Sequence, residues 1–476
     1  MSLSPPDAGR FGRLARVALL VVIALWVPVL TGLRFEAKRD EQVYHLPLVT
    51  ELAQRAPTFD DFRNARVEMG PFFHVILGSG GRLFGTEPWS FRLQMLLAGL
   101  ATVALFAALV RQSGAADWTW ATLLLAAFPY FGVCYFTVMT DYAAFLFLVG
   151  SWLAQVRYLQ TGGRRALWVG ALAATAACAV RQSAIFAPAA FGGFVVAERI
   201  RHAREAVRAM QAAGGTDAEP RGPTAARWSL GELFALVLPL LPVLLRLALW
   251  GHLIPPEMRR EEGFLGLDAD VDIPGGPVSH YALAMTSMMA NVGYYLIPAT
   301  LAVAVAARRS ARRWGAVLAI AVALALGLSL LRGPQLITTN GTFLHGVTFL
   351  RLRFGDAAAL AVVVLSLASF LTLVDAARLA LRERSGDPAV IRFLLVLLAA
   401  GLLVLGFGKF RIFERYVVPL HALAIVVLAT VTPRRGARWV RAGFLIAVGF
   451  GLAHEILYAS DVYDLGLLSA LSGRAP

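Results

Sequence analysis

Apolar segments long enough to cross a bilayer recur along almost the whole chain, and they constrain the fold more than any motif does. Of 476 residues, 58% are hydrophobic and 16% are charged, against about 25% charged in ordinary soluble domains. With about 20 residues per span, the pattern predicts a single all-α polytopic integral membrane domain, residues 1–476, of about 13 transmembrane helices. The predicted spans are 17–33, 91–110, 118–138, 142–158, 166–180, 183–197, 229–249, 281–306, 315–331, 356–376, 393–407, 416–432 and 440–457.

Arginines mark one side of the predicted bundle. Cytoplasmic loops carry an excess of Lys and Arg, and every second loop of this chain is arginine-rich. We therefore predict that the N-terminus and these loops are cytoplasmic, with 198–228 a cytoplasmic linker, and that loops 34–90 and 250–280 are extracytoplasmic. Topology explains the net charge of +14, and no motif for reading nucleic acid is present. The arginines concerned are Arg111, Arg157, Arg164, Arg165, Arg199, Arg201, Arg204, Arg208, Arg308, Arg309, Arg312, Arg313, Arg378, Arg382, Arg384, Arg434, Arg435 and Arg438.

The first outer loop, 34–90, is too long for a turn and begins with the acidic pair Asp40 and Glu41. Segments 47–54 and 59–67 within it are predicted to form short helices along the membrane surface. Carboxylates are costly beside hydrocarbon and suited to proton abstraction, so we predict Asp40 and Glu41 as catalytic residues, with Asp40 as the base. Tyr44 and His45, one turn further on, can share the face of either carboxylate and bind substrate. The alternative is that the pair only solvates the end of a span.

Two further sites interrupt apolar sequence on the same predicted side. Asp141 lies at a tight outer turn between two spans and is either a helix cap or a site residue. Arg181 and Gln182 break the apolar stretch 166–196. An arginine at that depth needs an anionic partner, which is either Asp141 or a substrate phosphate.

A late basic cluster follows the span 393–407. Its three cations, Lys409, Arg411 and Arg415, suit contact with a lipid phosphate, and Glu414 lies among them. The alternative is simple snorkelling to lipid headgroups. No metal site is predicted, although Asp268, Asp270 and Asp272 leave a divalent ion open. Cys134 and Cys178 both lie in apolar segments and are predicted to be packing residues.

Several stretches, in matching order, resemble polytopic glycosyltransferases of the GT-C fold, most closely the dolichol-pathway alpha-1,2-glucosyltransferase family. The resemblance covers about the first 190 residues, and hydropathy alone extends it further. The long acidic first outer loop and the number of spans also resemble bacterial aminoarabinose transferases and protein mannosyltransferases. The matching stretches are Asp-Glu-Gln-Val-Tyr-His45, Met-Gly-Pro-Phe-Phe73, the aromatic run ending in Thr-Asp141, Arg-Gln-Ser-Ala-Ile-Phe186 and, loosely, Glu-Arg-Tyr416.

The resemblance implies transfer of a monosaccharide, with inversion, from a polyprenyl-phosphate-sugar donor to a carbohydrate, lipid or protein acceptor at the extracytoplasmic face. It implies that Asp40 is the general base, that Glu41, His45 and Asp141 orient acceptor or sugar, and that cations meet the phosphate. The cations are Arg181, Lys409 and Arg415. No cofactor is expected.

Two rival functions stay open: a secondary transporter or lipid flippase, and a ligase that uses a lipid-linked oligosaccharide. The Ala- and Arg-rich composition, with Lys38 and Lys409 the only lysines, is typical of a GC-rich bacterial genome. We therefore expect the protein in the bacterial cytoplasmic (inner) membrane, with its active site on the periplasmic or extracellular face.

Overall fold

The computed structural model is a bundle of α-helices, as predicted. Only one pair of two-residue strands occurs in the described part of the chain, β1 (Thr339–Asn340) and β2 (Ile412–Phe413), which pair in parallel. The structure describes residues 41–65, 67, 71–115, 118–128, 131, 137–212, 229–251, 276–306, 311–332, 339–340, 355–383, 387–408, 412–413, 417–432 and 437–462.

The helices follow the hydropathy pattern closely. Most predicted spans after the first have a helix of similar bounds, and the first span, 17–33, lies outside the described residues. The helices are α1 (Leu46–Gln54), α2 (Phe59–Arg63), α3 (Phe72–Phe84), α4 (Pro88–Gln112), α5 (Trp118–Ala126), α6 (Thr140–Thr161), α7 (Arg164–Val180), α8 (Phe186–Ala212), α9 (Leu230–Val237), α10 (Leu241–Trp250), α11 (Gly276–Ala306), α12 (Ala311–Arg332), α13 (Asp356–Glu383), α14 (Pro388–Gly408), α15 (Val418–Val431) and α16 (Ala437–Val462).

Seven candidate spans in the described residues are helical stretches long and apolar enough to cross a membrane. Two further helices, α15 and α16, contain shorter apolar stretches. The protein is therefore an all-helical, multi-pass membrane protein, while the predicted total of about 13 spans stays a prediction. The candidate spans are Pro88–Gln112, Thr140–Thr161, Gln182–Ala209, Leu230–Trp250, Ala284–Ala306, Asp356–Glu383 and Pro388–Leu405.

Local sequence explains where the helix is interrupted in two apolar stretches. The apolar stretch from residue 166 to 196 divides at Arg181, where α7 ends and a 3-10 turn, Gln182–Ile185, leads into α8. Pro239 opens the 3-10 turn Leu238–Leu240 between α9 and α10, because proline lacks the N–H that a helix interior needs. Helix α8 continues to Ala212, so the segment predicted to be a linker from residue 198 is helical in its first part.

Small and hydroxylated residues bring the central helices together. A Cβ added at Gly293 of α11 would lie 1.9 Å from the carbonyl oxygen of Ser366 in α13, so only glycine allows this approach. Further along the same contact, the hydroxyl oxygens of Thr300 and Ser369 are 2.7 Å apart. Such contacts are typical of helix packing in lipid, where burying apolar surface adds little.

The first outer loop folds into three helices packed on the bundle. Helices α1 and α2 correspond to the predicted surface helices, and α3 was not predicted. Gly78 of α3 lies against the backbone of α1, since an added Cβ would be 3.0 Å from the carbonyl carbon of Leu52. The indole N–H of Trp250, at the end of α10, donates to the carbonyl oxygens of Phe62 and Arg63, each at 3.0 Å. The loop and the end of α10 therefore share one side of the bundle, as predicted.

At the end of the bundle opposite the outer loop, polar contacts join the helices near the arginine-rich loops. Arg199 of α8 donates to Glu232 of α9 at 3.0 Å, and Arg392 of α14 donates to Glu198 of α8 at 3.1 and 3.2 Å. Gln112 and Gln160 are hydrogen-bonded at the ends of α4 and α6. These residues flank loops predicted to be cytoplasmic, so the bundle has one arginine-rich end and one end that carries the outer loop.

Candidate active site

Glu41 is fully buried and joins the outer loop to the bundle. It begins a π-helical turn, Glu41–His45, just before α1. Near the start of α4, Arg92 donates from Nε to one carboxylate oxygen at 3.2 Å and from Nη2 to the other at 3.5 Å. The backbone N–H of Val138 donates to the first oxygen at 3.3 Å. Burying a carboxylate is costly unless it is paired, so these contacts hold the Glu41 side chain in place.

The neighbours of Glu41 lie in a different environment. Tyr44 is exposed, so it does not share the buried surroundings of Glu41. His45 is half-buried, and its Nδ1 lies 2.9 Å from Nε2 of His74 in α3, with the rings stacked at 5.2 Å between centroids. A hydrogen bond between two imidazoles requires one nitrogen to carry a proton and the other to accept it. The pair therefore makes the tautomers of the two rings depend on each other and holds His45 against α3.

Asp141 and Arg181 form a buried ion pair at the same end of the bundle. Arg181 Nη1 lies 2.7 Å from Asp141 Oδ1, and the two side chains are 6% and 7% exposed. The same nitrogen donates to the hydroxyl of Thr140 at 3.1 Å. Of the two partners predicted for Arg181, the structure therefore shows the carboxylate, which joins the break between α7 and α8 to the first turn of α6.

Arg246 is a buried cation that the sequence analysis did not single out. It lies in α10 and donates to the carbonyl oxygens of Cys178 and Ala179, at 3.1 and 2.6 Å, and to the side-chain oxygen of Gln182 at 3.4 Å. The last carbonyls of a helix lack intrahelical partners and favour a cation. Arg246 thus stabilises the end of α7 and positions Gln182.

A small cavity opens beside the Asp141–Arg181 pair. Besides these two side chains, it is lined by Ser183 and by residues of α14 and α15, including Leu405 and Val418, and its volume is about 20 Å³. A water molecule needs about 10–15 Å³, so the cavity has room for one water and not for a sugar. The pair is enclosed by four parts of the chain that are distant in sequence.

The two ion pairs belong to one polar region. Glu41 accepts from the backbone of Val138, and Asp141 follows three residues later, so the Cα atoms of 138 and 141 are at most ~11 Å apart. The same short segment therefore carries a contact of each pair. Motion of residues 138–141 would change both.

Four of the predicted site residues lie outside the described residues: Asp40, Lys409, Glu414 and Arg415. Most of the predicted second outer loop, 250–280, lies outside them too. Within the described ranges, no group of three or more His, Cys, Asp or Glu side chains is placed to hold a metal ion. Cys178 is buried and unoxidised, as a packing residue would be.

An aromatic and histidine cluster between α11, α15 and α16 also escaped the sequence analysis. His421 stacks on Phe128 with ring centroids 4.0 Å apart. Nearby, the hydroxyl of Tyr294 lies 2.9 Å from Nε2 of His454, and Tyr295 contacts both histidines edge-on. Each histidine stands alone in an apolar span, so the only available signal was a polar side chain at membrane depth.

Comparison with known families adds an independent finding. Residues 68–213 match the family described as dolichyl-phosphate-mannose-protein mannosyltransferase. The matched part contains Arg92, Asp141, Arg181 and Gln182 and begins after the acidic pair. The match covers a part of the chain, and the narrower resemblance to alpha-1,2-glucosyltransferases is not confirmed by it.

Two solved structures of one protein align with nearly the whole chain. They are crystal structures of ArnT from Cupriavidus metallidurans, one bound to undecaprenyl phosphate and one in the apo state. Sequence identity is 15% and 12%, and the TM-scores are 0.45 and 0.43. Both alignments cover 99% of this chain and 77% of the other. No curated protein sequence matches the chain.

Proposed function

We propose that this protein is a GT-C membrane glycosyltransferase that takes a monosaccharide from a polyprenyl-phosphate-sugar donor at the extracytoplasmic membrane surface. One observation carries the proposal: the mannosyltransferase family match spans the segment in which the buried Asp141–Arg181 pair lies. Both charges are costly in an apolar span unless they have a function or a partner. The matched segment also contains Arg92, which contacts Glu41.

The proposed reaction is a single displacement with inversion. The carboxylate of Asp40 removes the proton of an acceptor hydroxyl while that oxygen bonds to the anomeric carbon. The bond from that carbon to the phosphate oxygen breaks, and polyprenyl phosphate leaves with its electron pair. The developing charge on the phosphate is stabilised by cations, for which Lys409 and Arg415 are proposed together with Arg181.

We propose supporting roles for several of the described residues. Glu41 already holds Arg92 and the Val138 amide, so it fixes the start of the outer loop next to Asp40 in the sequence. Arg181 is held by Asp141, so contact with a phosphate requires it to share or exchange that partner. Tyr44, which is exposed, and His45 are proposed to contact acceptor or sugar.

Residues near these supports complete the proposed binding site. Gln182 is held by Arg246 beside the break at Arg181 and is proposed to contact the donor. Glu414 is proposed as a substrate contact from its place in the late motif. A polar side chain that its neighbours already hold loses less conformational entropy on binding a ligand than a mobile side chain does.

The test is transfer of labelled sugar from a panel of synthetic polyprenyl-phosphate monosaccharides by the purified full chain. Asp40→Asn should lower the rate by about 10²–10⁴-fold. Asp60→Asn is the matched control, because Asp60 is an exposed carboxylate of the same loop, and it should turn over normally. Both variants are compared with the parent for thermal unfolding.

Two results would overturn the proposal. Normal turnover by a folded Asp40→Asn variant would remove Asp40 from the role of base. Failure to consume any donor in the panel, with lipid-linked oligosaccharides also inert, would favour the transporter or flippase alternative.

A further inference from the structure

A second, larger cavity lies at the arginine-rich end of the bundle, between α12 and α13. Its volume is about 380 Å³, within the range of about 300–1,000 Å³ typical of ligand pockets. The first turns of α12 face the last turns of α13 across it, so the two helices run antiparallel there. The cavity is far along both helices from the outer loop and shares no residue with the candidate active site.

Three arginines surround the mouth of this cavity. Arg313 is in the first turn of α12, and Arg378 and Arg382 are near the end of α13, and all three side chains are exposed. Asp375, half-buried, is the acidic residue of the lining. Among the described residues that line the cavity, three positive charges and one negative charge sum to +2.

These arginines differ from others at the same end of the bundle. Arg199, Arg201 and Arg392 each form an ion pair with a glutamate. In the described part of the chain, Arg313, Arg378 and Arg382 form no ion pair. Arg378 and Arg382 are four residues apart on one helix face, where like charges destabilise the helix. An anion held between them would remove that cost.

The deeper walls of the cavity are apolar and open toward lipid. They include Val317 and Ile320 of α12 and Leu371 and Val374 of α13, and Ile320 and Val374 are 52% and 38% exposed. At 1.5 Å per residue, the lining extends ~10 Å from residue 313 to 320 and ~16 Å from residue 371 to 382. Half of the hydrocarbon core is ~15 Å thick, so the whole lining, from the arginines to the apolar wall, has about the length of one leaflet.

We propose that this cavity binds an anionic phospholipid of the leaflet on the arginine-rich side, which the topology predicts to be cytoplasmic. The phosphate lies between the three arginines, since guanidinium groups bind phosphate oxygens through paired N–H donors. One acyl chain lies along the apolar wall of α12 and α13. Basic pockets between transmembrane helices on the cytoplasmic side are suited to such headgroups.

The arginines and the apolar wall together identify an anionic phospholipid as the ligand. A soluble phosphate would use the arginines and leave the apolar wall exposed. A zwitterionic lipid would use the wall and bring no net charge to a mouth of +2. An anionic phospholipid satisfies both, and it does not depend on the proposed transferase activity.

The test is native mass spectrometry of the full-length protein released from detergent, titrated separately with phosphatidylglycerol and phosphatidylcholine. At about 1 kcal/mol per basic residue near a charged bilayer surface, each arginine removed should weaken phosphatidylglycerol binding about fivefold. The triple variant Arg313→Gln, Arg378→Gln, Arg382→Gln should lose about 100-fold. Arg312→Gln is the matched control, because Arg312 is exposed on the same turn of α12 and does not line the cavity.

A steric variant tests the apolar half without altering charge. Ala316 lines the cavity and is exposed, so Ala316→Phe should fill it and weaken binding at least tenfold with the fold intact. Equal binding of the two phospholipids, or equal loss in the Arg312→Gln control, would refute a headgroup site. A tenfold preference for undecaprenyl phosphate over phosphatidylglycerol would assign the cavity to a different lipid and overturn the proposal.

Discussion

Neutralising both members of the Asp141–Arg181 pair should destabilise the protein by clearly less than the sum of the two single changes. The two charged atoms are 2.7 Å apart and both side chains are more than nine-tenths buried. Unit charges about 4 Å apart attract by about 4 kcal/mol at an effective dielectric constant of 20. Removing one partner of a buried pair costs about 3–5 kcal/mol, mostly because the other charge stays buried and unpaired.

The perturbation is a double-mutant cycle of Asp141→Asn, Arg181→Gln and the double variant. Each single change should lower the free energy of unfolding by about 3–5 kcal/mol. The double variant leaves two neutral amides that can still hydrogen-bond, so its loss should be smaller than the sum by at least about 2 kcal/mol. Contacting residues commonly show interaction energies of this size.

The assay is equilibrium unfolding of the purified protein by SDS in mixed micelles, followed by circular dichroism. Glu205→Gln supplies the control, because Glu205 pairs with Arg201 four residues away and its side chain is 52% exposed. Exposed helix pairs contribute about 0.3–0.5 kcal/mol. Single losses below about 1 kcal/mol, or additive losses within about 0.5 kcal/mol, would refute the reasoning.

Three further predictions concern the outer loop. Glu41→Gln should lower the free energy of unfolding by about 2–4 kcal/mol, because it removes a buried charge that Arg92 contacts. The measurement is the same SDS assay, and a loss under about 0.5 kcal/mol would contradict the pairing. Trp250→Phe should remove the hydrogen bonds to α2 and raise amide exchange there while α6 stays protected; unchanged exchange in α2 would argue against this contact. The hydrogen bond from Arg55 holds the pKa of the Asp61 carboxyl well below its usual range. This stabilisation is present above the unfolded pKa of about 4 and is lost as pH falls through the folded value. Amide exchange in α2, corrected for the intrinsic rate, should therefore rise only in acid. Faster corrected exchange at pH 7 than at pH 3 would contradict the predicted pH dependence.

The sequence predicted the elements well because hydropathy directly reports which segments lie in lipid. The break at Arg181 was expected from a charge in an apolar stretch, and the structure ends α7 at Val180. Element bounds differ from prediction mainly beyond the apolar core, as in α8, which continues to Ala212. Those residues are polar, so hydropathy gave no reason to extend the helix.

The contact partners of the charged side chains were harder to predict from the sequence than the positions of the helices. Arg181 was expected to need an anion, and sequence left Asp141 and a substrate phosphate as alternatives, since nothing local decides between them. Arg92 was not singled out from the sequence, since its contact with Glu41 joins residues 51 positions apart. Arg246 carried the clearest missed signal: a cation inside the predicted span 229–249 also requires a partner.

The polar contacts also explain how the outer loop can occupy one position on a membrane bundle. Lipid is as apolar as a leucine side chain, so burying apolar surface between helices gives little preference for one docking arrangement over another. A buried charge does give one, because leaving it unpaired costs several kcal/mol. Glu41 can satisfy its carboxylate only where Arg92 and the Val138 amide meet, and Val138 is three residues from Asp141. The same contacts that hold the start of the loop therefore fix Glu41 relative to the Asp141–Arg181 pair, as the proposed catalytic site requires.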